Sequence, residues 1–352
     1  MGIIEEAIGA IPAPNEEALT LARERLRDQA RPAGSLGILE DVSARLAAIA
    51  GTLDVRLTEK MLITCAGDHG VCAEGVSLFP SEVTAQMVYN FVGGGASINV
   101  LARHAGARVR VADLGVDHEF PADLPIFHKK VRRGTANLAV EPAMTRDEAR
   151  RSVEAGIEIV DELLADGPIH LLGTGDMGIG NTTPSTAIIA VYSGLPPDAL
   201  TGRGTGLDGD GVRRKAEVIA RALALHRPDP ADPLGVLAAV GGLEIGGLAG
   251  LVIGAAARGI PAVCDGLIAT AGALLACEMA PAARDYLFAS HASVEVGHRF
   301  MLEYLRLRPL LDLEFRLGEG TGAALAMELM DAATRILAEI KTFEEVAIRD
   351  AQ

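Results

Sequence analysis

Apolar positions recur along this chain with two different periods. In the first fifty residues they fall on helical faces: Leu19, Leu21 and Leu26 follow Asn15, a good helix N-cap, and Pro32-Ala33-Gly34 breaks that helix before a second one that ends near Gly51. From Lys60 the pattern changes to short continuous runs. Residues 61–66 are apolar and end in Gly67-Asp68-His69-Gly70, which reads as a buried strand feeding a polar loop. The same unit returns at 107–114 before Gly115, at 169–172 before Gly173, and at 260–264 before Asp265-Gly266. Strand, glycine loop and helix in alternation predict an α/β fold with a parallel sheet. In such sheets ligands sit beyond the carboxyl ends of the strands, where these loops fall. Residues 301–352 return to helix, interrupted at Leu317-Gly318-Glu319-Gly320, and no repeat of fixed period is present.

At 352 residues the chain suits two domains, or one large domain with appendages, on a scale of about 150 residues each. Apolar residues make up 49% and charged residues 22%, which excludes extended disorder. With no Trp, four Tyr and eight Phe there is little to stack on nucleic-acid bases, and a net charge of -15 repels a polyanionic backbone. Nucleic acid is therefore no expected partner, while a small anionic substrate can still bind locally. The mean hydropathy of +0.27 raises the membrane question. The longest stretch of apolar residues and glycine, 245–257, is too short to span a bilayer. Residues 1–6 carry two glutamates and no basic region, unlike a secretory signal, so the expected location is the cytoplasm. Cys65, Cys72, Cys264 and Cys277 lack CxxC spacing and sit in or beside apolar segments, as inert buried thiols do; neither a disulfide framework nor a metal site is expected.

The most informative loop is Gly173-Thr174-Gly175-Asp176-Met177-Gly178-Ile179-Gly180-Asn181-Thr182-Thr183-Pro184, with Thr183 as a helix cap and Pro184 at the first helical position. A strand ending in glycines before a helix N-terminus aims backbone N–H groups and the positive end of the dipole at one spot, which suits a phosphate. The plainer reading, a tight turn, leaves the Asn and Thr donors unused. The spacing Gly173, Gly175, Gly178 also fits a dinucleotide fingerprint, weakly: the acid expected about 20 residues on is Asp198, behind Pro196-Pro197. A second loop, Gly202-Arg203-Gly204-Thr205-Gly206-Leu207-Asp208, precedes a helix with Arg213, Arg214 and Lys215, which either clamps the far side of a phosphate or forms a solvated basic face. Walker spacing is absent, and so is the acid-paired loop that binds a sugar pyrophosphate with magnesium.

Gly67-Asp68-His69-Gly70-Val71, the Pro80-x-x-Val83-Thr84 segment, Gly178-x-x-Asn181-Thr182-Thr183-Pro184, Val240-Gly241-Gly242, Asp265-Gly266, Ser290-His291 and Arg316-Leu317-Gly318-Glu319-Gly320 occur in that order. Together they resemble the nicotinate-nucleotide:dimethylbenzimidazole phosphoribosyltransferase family, which builds the lower nucleotide of cobalamin. The resemblance runs from Ile11-Pro12-Ala13-Pro14 and Pro32-x-Gly34-Ser35-Leu36-Gly37 to the last helix. It implies a Rossmann-like large domain, 56–300, and a small helical domain made from 1–55 and 301–352. It also implies a homodimer, no cofactor and no metal, and transfer of 5-phosphoribose from nicotinate mononucleotide to 5,6-dimethylbenzimidazole. By the same resemblance Glu319 is the base and Asp176, where the family commonly has Glu, a second catalytic carboxylate. Gly175, Met177, Gly178, Ile179, Gly180, Asn181 and Thr182, with Gly202, Arg203, Gly204, Lys215, Asp265 and Ser290, are then expected to bind the nucleotide. Phe79, Pro80, Gln86, Met87, Leu317 and Gly318 are expected to wall the acceptor base. His69 and His291 fall on motif histidines, a place that a hydrogen-bonded structural residue fills equally well.

The chemistry independently asks for one base. Nicotinate leaves a pyridinium as a neutral ring and needs neither acid nor cation, whereas the attacking imidazole-type ring must lose its N–H proton, which a carboxylate accepts near neutral pH. Glu319, between two glycines at a helix start, is placed for this, with the helix dipole expected to favour its ionised form. Transfer to another aromatic base or a phenol, or non-catalytic nucleotide binding, are the competing readings, with a dehydrogenase a more distant third.

Overall fold

The computed structural model describes residues 2–204 and 206–347. Thr205 of the second glycine loop and the last five residues of the C-terminal stretch lie outside the described residues. Seven strands, β1 (Lys60–Gly67), β2 (Ala107–Gly115), β3 (Phe127–His128), β4 (Leu171–Met177), β5 (Ala262–Cys264), β6 (Leu287–His291) and β7 (Pro309–Leu311), form one sheet in the order β3-β2-β1-β4-β5-β6-β7. Every neighbouring pair is parallel. The chain winds outward from β1 to β3, then crosses to β4 and winds the other way. The order therefore reverses between β1 and β4, and a crevice opens there at their carboxyl ends.

A parallel sheet must be covered on both faces, and β1 is buried along its whole length. Helices Leu243–Ala257 and Leu267–Met279 cover one face, with Arg146–Asp166 packed behind the first; Thr321–Glu339, Ser97–His104 and Ile38–Ala50 take the other. The Gly/Ala-rich run at 245–257 lies in the most enclosed of these helices. Its glycines permit backbone contact: a Cβ on Gly250 would stand 1.9 Å from the Val153 carbonyl oxygen of the crossing helix. Among the described residues no helix is long and apolar enough to cross a membrane.

Asn15 caps helix Glu16–Asp28, its Oδ1 accepting from Ala18 N at 2.8 Å. That helix packs with Ile38–Ala50 and Thr321–Glu339 through Ala22, Leu26, Ala44, Ala47 and Leu337, so elements from both chain ends share a small apolar cluster. Helix Thr321–Glu339 also enters the sheet's core with Met327 and Met330. The division at residue 300 falls inside helix Val296–Leu305, and β7, read in the sequence as part of a helical stretch, extends the sheet instead.

Two local expectations change near the crevice. β4 continues through Gly173-Thr174-Gly175-Asp176-Met177, so the loop proper starts at Gly178. Gly173 is there for packing, because a Cβ would lie 2.3 Å from Leu62 Cδ2 on the neighbouring strand. The following helix spans Thr182–Ser193 with Asn181 at the N-cap, which makes Thr183 and Pro184 its second and third residues. Proline costs little anywhere in the first turn, where the N–H has no intrahelical partner.

Candidate active site

The crevice between β1 and β4 is a cavity of about 380 Å³. One wall is the strand-to-helix turn after β4: Met177, Gly178, Ile179, Asn181 and Thr182 line it, with Gly204 and Glu295 beside them. Asn181 Nδ2 donates to Asp176 Oδ2 at 2.9 Å, and Ile179 N donates to Thr84 Oγ1 at 3.1 Å. Lys215 lies just behind this wall, fully buried, with Nζ 2.5 Å from Thr182 Oγ1. Burial pulls its ammonium down to about 8 against the opposing pull of Glu295. The basic triplet divides accordingly, with Arg213 and Arg214 exposed and only Lys215 turned inward.

The opposite wall carries Glu319. Its backbone is left-handed, φ 65°, between two glycines that are left-handed as well. Its N–H donates to the Asp176 carbonyl at 3.1 Å, and its own carbonyl accepts from Thr64 Oγ1 at 2.9 Å. Glycine at 175 is demanded here, since a Cβ would sit 2.2 Å from the Glu319 oxygen. Glu319 Oε2 accepts from Ile98 N at 3.0 Å, in the first turn of helix Ser97–His104. The dipole that meets this carboxylate therefore belongs to a different helix from the one the sequence suggested. Burial raises the Glu319 pKa, with the Ile98 hydrogen bond opposing.

Asp265 supports this wall from below. It is fully buried; Oδ2 accepts from Gly320 N at 2.9 Å, and Oδ1 from Gly322 N at 2.8 Å and Ala323 N at 3.2 Å. It thereby caps helix Thr321–Glu339, whose own N-cap residue is Gly320 with no side chain to do so. Burial pushes Asp265 up to about 7, the three amides opposing. Asp176 is also raised well above the usual carboxylate range, by burial first and then by the charge of Asp265.

Of the residues expected from the sequence, Asp176, Met177, Gly178, Ile179, Asn181, Thr182, Gly204, Phe79, Met87, Leu317, Gly318 and Glu319 meet on the cavity wall. Gly175, Lys215, Asp265 and Ser290 lie behind it; Ser290 Oγ donates to the Asp265 carbonyl at 3.1 Å. Gly180 and Gly202 are buried off the lining, and Arg203, Pro80 and Gln86 are exposed away from it. His69 is held by Glu244, Nε2 to Oε1 2.8 Å with both side chains fully enclosed. Burial disfavours its charged form, yet the Glu244 charge and hydrogen bond raise its pKa overall. His291 does line the cavity and is pushed by burial to about 4, a neutral ring. Val83, Gly266, Leu267, Ile268, Ser293, Glu295 and Arg316 complete the wall. Glu295 went unread because it stands alone between Val294 and Val296, outside any glycine loop. Among the described residues no group of His, Cys, Asp and Glu stands where it could hold a metal ion. Cys65, Cys264 and Cys277 are buried and Cys72 half-buried, and burial drives the thiols of Cys264 and Cys277 up to about 12.

Comparison with known proteins places this cavity in context. The nicotinate-nucleotide–dimethylbenzimidazole phosphoribosyltransferase of Geobacter sulfurreducens is 55% identical over 350 residues, 99% of both chains. The protein of the same name from Syntrophobacter fumaroxidans is 59% identical over 329 residues, covering 94% of this chain and 93% of its own. The crystal structure of CobT from Thermus thermophilus superposes with a TM-score of 0.91 at 50% identity, over 95% of this chain and all of that one. Residues 11–348 match the profile of a phosphoribosyltransferase family, DBI_PRT, and the chain belongs to that family.

Proposed function

We propose that this chain transfers 5-phosphoribose from nicotinate mononucleotide to 5,6-dimethylbenzimidazole, giving α-ribazole 5′-phosphate and nicotinate for the nucleotide loop of cobalamin. The observation that carries this reading is the pairing, across one cavity, of a helix N-terminus with a buried glutamate, with the apolar side chains of Phe79, Val83, Met87 and Leu317 on the same wall. The turn at 178–182 and Lys215 take the phosphate, and the apolar residues take the flat base. One ring nitrogen of the base attacks C1′. The C1′–N bond to nicotinate breaks, its electron pair returns to the pyridinium ring, and the proton of the other ring nitrogen passes to Glu319. With Oε2 held by Ile98 N, Oε1 is left to accept that proton, and a carboxyl raised by burial is a stronger base than a solvated one. Asp176 stabilises positive charge developing on the sugar.

In this reading the protein is a cytoplasmic homodimer, and its terminal helices, 1–55 with 301–352, form a small unit beside the large one. The exposed side chains of Phe79, Val100, Leu313 and Leu317 support burial of this surface by a second copy. The test is incubation of the purified protein with nicotinate mononucleotide and a panel of dimethylbenzimidazole, purines and phenols, with products identified by mass spectrometry. Dimethylbenzimidazole should turn over fastest. A faster purine or phenol would move the acceptor assignment, and no transfer to any of them would leave a nucleotide-binding protein.

A further inference from the structure

Two carboxylates that line the cavity, Asp176 and Glu295, each have one buried oxygen without a hydrogen-bond partner among the described residues, Oδ1 and Oε2. Glu295 is only 6% exposed, and its other oxygen accepts from Gly204 N at 2.9 Å, which fixes the carboxylate against the second glycine loop. The loop is tight around it: a Cβ on Gly202 would come 2.0 Å from Oε2, and one on Gly204 would lie 3.3 Å from Lys215 Nζ. A buried acceptor left unpaired is costly, and a donor on a ligand bound beside it satisfies it.

This inference rests on the donor being nicotinate mononucleotide. That molecule is poor in donors. Its phosphate and carboxylate are ionised at neutral pH, its pyridinium nitrogen carries no hydrogen, and only the 2′ and 3′ ribose hydroxyls remain. Two unpaired carboxylate oxygens face two hydroxyls, and the covalent order of the sugar decides which meets which. C3′ joins through C4′ to the carbon that bears the phosphate, whereas C2′ adjoins the reacting C1′. Glu295 stands on the Gly204 and Lys215 side of the cavity. Asp176 stands on the Glu319 side, where a Cβ on Gly318 would lie 3.1 Å from its carboxylate. We propose that Glu295 accepts a hydrogen bond from the ribose 3′-hydroxyl and thereby makes the enzyme selective for ribonucleotide donors, with Asp176 on the 2′ side.

The test compares kcat/KM for nicotinate mononucleotide and its 2′-deoxy and 3′-deoxy analogues in the wild-type enzyme and in Glu295→Gln. The glutamine keeps an oxygen for the Gly204 amide, so the loop should stand. In the wild type the 3′-deoxy analogue should be worse by roughly 10- to 100-fold, the range for a hydrogen bond to a charged group. In Glu295→Gln that penalty should shrink to a few-fold while the 2′-deoxy penalty is unchanged. Glu295→Asp, one methylene shorter with the charge kept, should also lose 3′ discrimination and gives a second variant should the glutamine misfold. Wild-type indifference to the 3′-hydroxyl, or an undiminished penalty in both variants, overturns the assignment. So does tighter binding of all three nucleotides by Glu295→Gln, which would make the carboxylate an internal competitor of the phosphate. Absence of any transfer from nicotinate mononucleotide in the wild type would instead remove the reading on which the inference rests.

Discussion

The two walls of the cavity are built in opposite ways. The wall proposed to hold the phosphate is nearly continuous in sequence: β4 ends at Met177, a short turn follows, and the helix begins at Thr182. Its positive potential comes from the helix itself, and one inward lysine reinforces it. The wall proposed to serve the acceptor base is assembled from distant parts. Glu319 is gripped at its amide by β4, at its carbonyl by Thr64 of β1, at its carboxylate by helix Ser97–His104, and through the next residues by Asp265 after β5. A left-handed non-glycine residue costs about 1–2 kcal/mol, and each hydrogen bond to a charged group contributes about 1.5–3 kcal/mol. The contacts around Glu319 hold this strained conformation jointly, from several elements at once. In the proposed function, holding an anion needs only local geometry, whereas fixing the Glu319 carboxylate needs agreement among several elements.

Removing the base should give the largest effect. Glu319→Gln keeps an oxygen for the Ile98 amide and so keeps the loop, but it takes no proton. Turnover should fall by about 10²- to 10⁴-fold, with nucleotide binding and thermal unfolding near those of the wild type. Near-normal turnover would shift the base to Asp176 and dissolve the contrast between the walls.

The phosphate wall is tested by Lys215→Ala. The KM for nicotinate mononucleotide should rise by roughly 10- to 100-fold through loss of a charge-assisted contact. Nicotinate riboside, which has no phosphate, should be used as well as before. Equal losses for both compounds would place Lys215 outside the phosphate site.

Asp265 separates the two constructions most directly, because the sequence suggested a nucleotide contact and the geometry is that of a cap. In Asp265→Asn one acceptor becomes a donor facing backbone N–H groups. The buried N–H group left without its acceptor should lower stability by about 1–3 kcal/mol. Turnover should fall roughly tenfold as Glu319 loosens, since small misplacements of a catalytic group are expensive. The KM for the nucleotide should hardly move. A raised KM with turnover intact would return Asp265 to the phosphate wall.

This asymmetry also decides what was legible. The parallel sheet and its loops follow from apolar runs punctuated by glycine, signals local enough to read from residues 61–66 or 260–264. The loop 173–184 suggested an anion site for the same reason. β3, β6 and β7 did not stand out, since none of them runs into the glycine loop that marks the units at 61–66, 107–114 and 260–264. Glu319 was singled out through its flanking glycines, and it does line the cavity. Its hold by Ile98 and Asp265 was hidden, because those contacts join residues far apart in the chain. Glu295 had no local mark at all, and only its burial and unpaired oxygen single it out.

The smallest and broadest expectation concerns pH, to which the two walls respond in opposite directions. Asp265, raised by burial to about 7, and Glu319, also raised by burial, must be ionised for the base wall to work, so kcat should climb as pH rises toward 7 and then level. Lys215, lowered by burial to about 8, loses its charge above that pH, so kcat/KM for the nucleotide should decline by a further limb that riboside does not share. Stability runs the other way. Folded Asp265 keeps a proton that the unfolded chain gives up near the ordinary aspartate value of 3.8, so its contribution to stability is lost as pH rises from about 4 through 7. Folded Lys215 sheds a proton that the unfolded chain holds to 10.5, so stability recovers as pH rises from about 8 to that value. Between about 7 and 8 both buried groups are therefore at their least favourable for folding and at their most useful for catalysis. Denaturant unfolding at roughly pH 5, 7.5 and 9.5 should show a shallow minimum at the middle value. Asp265→Asn should flatten its acid side and Lys215→Ala its alkaline side, and a minimum unchanged in both variants would trace the profile to other groups.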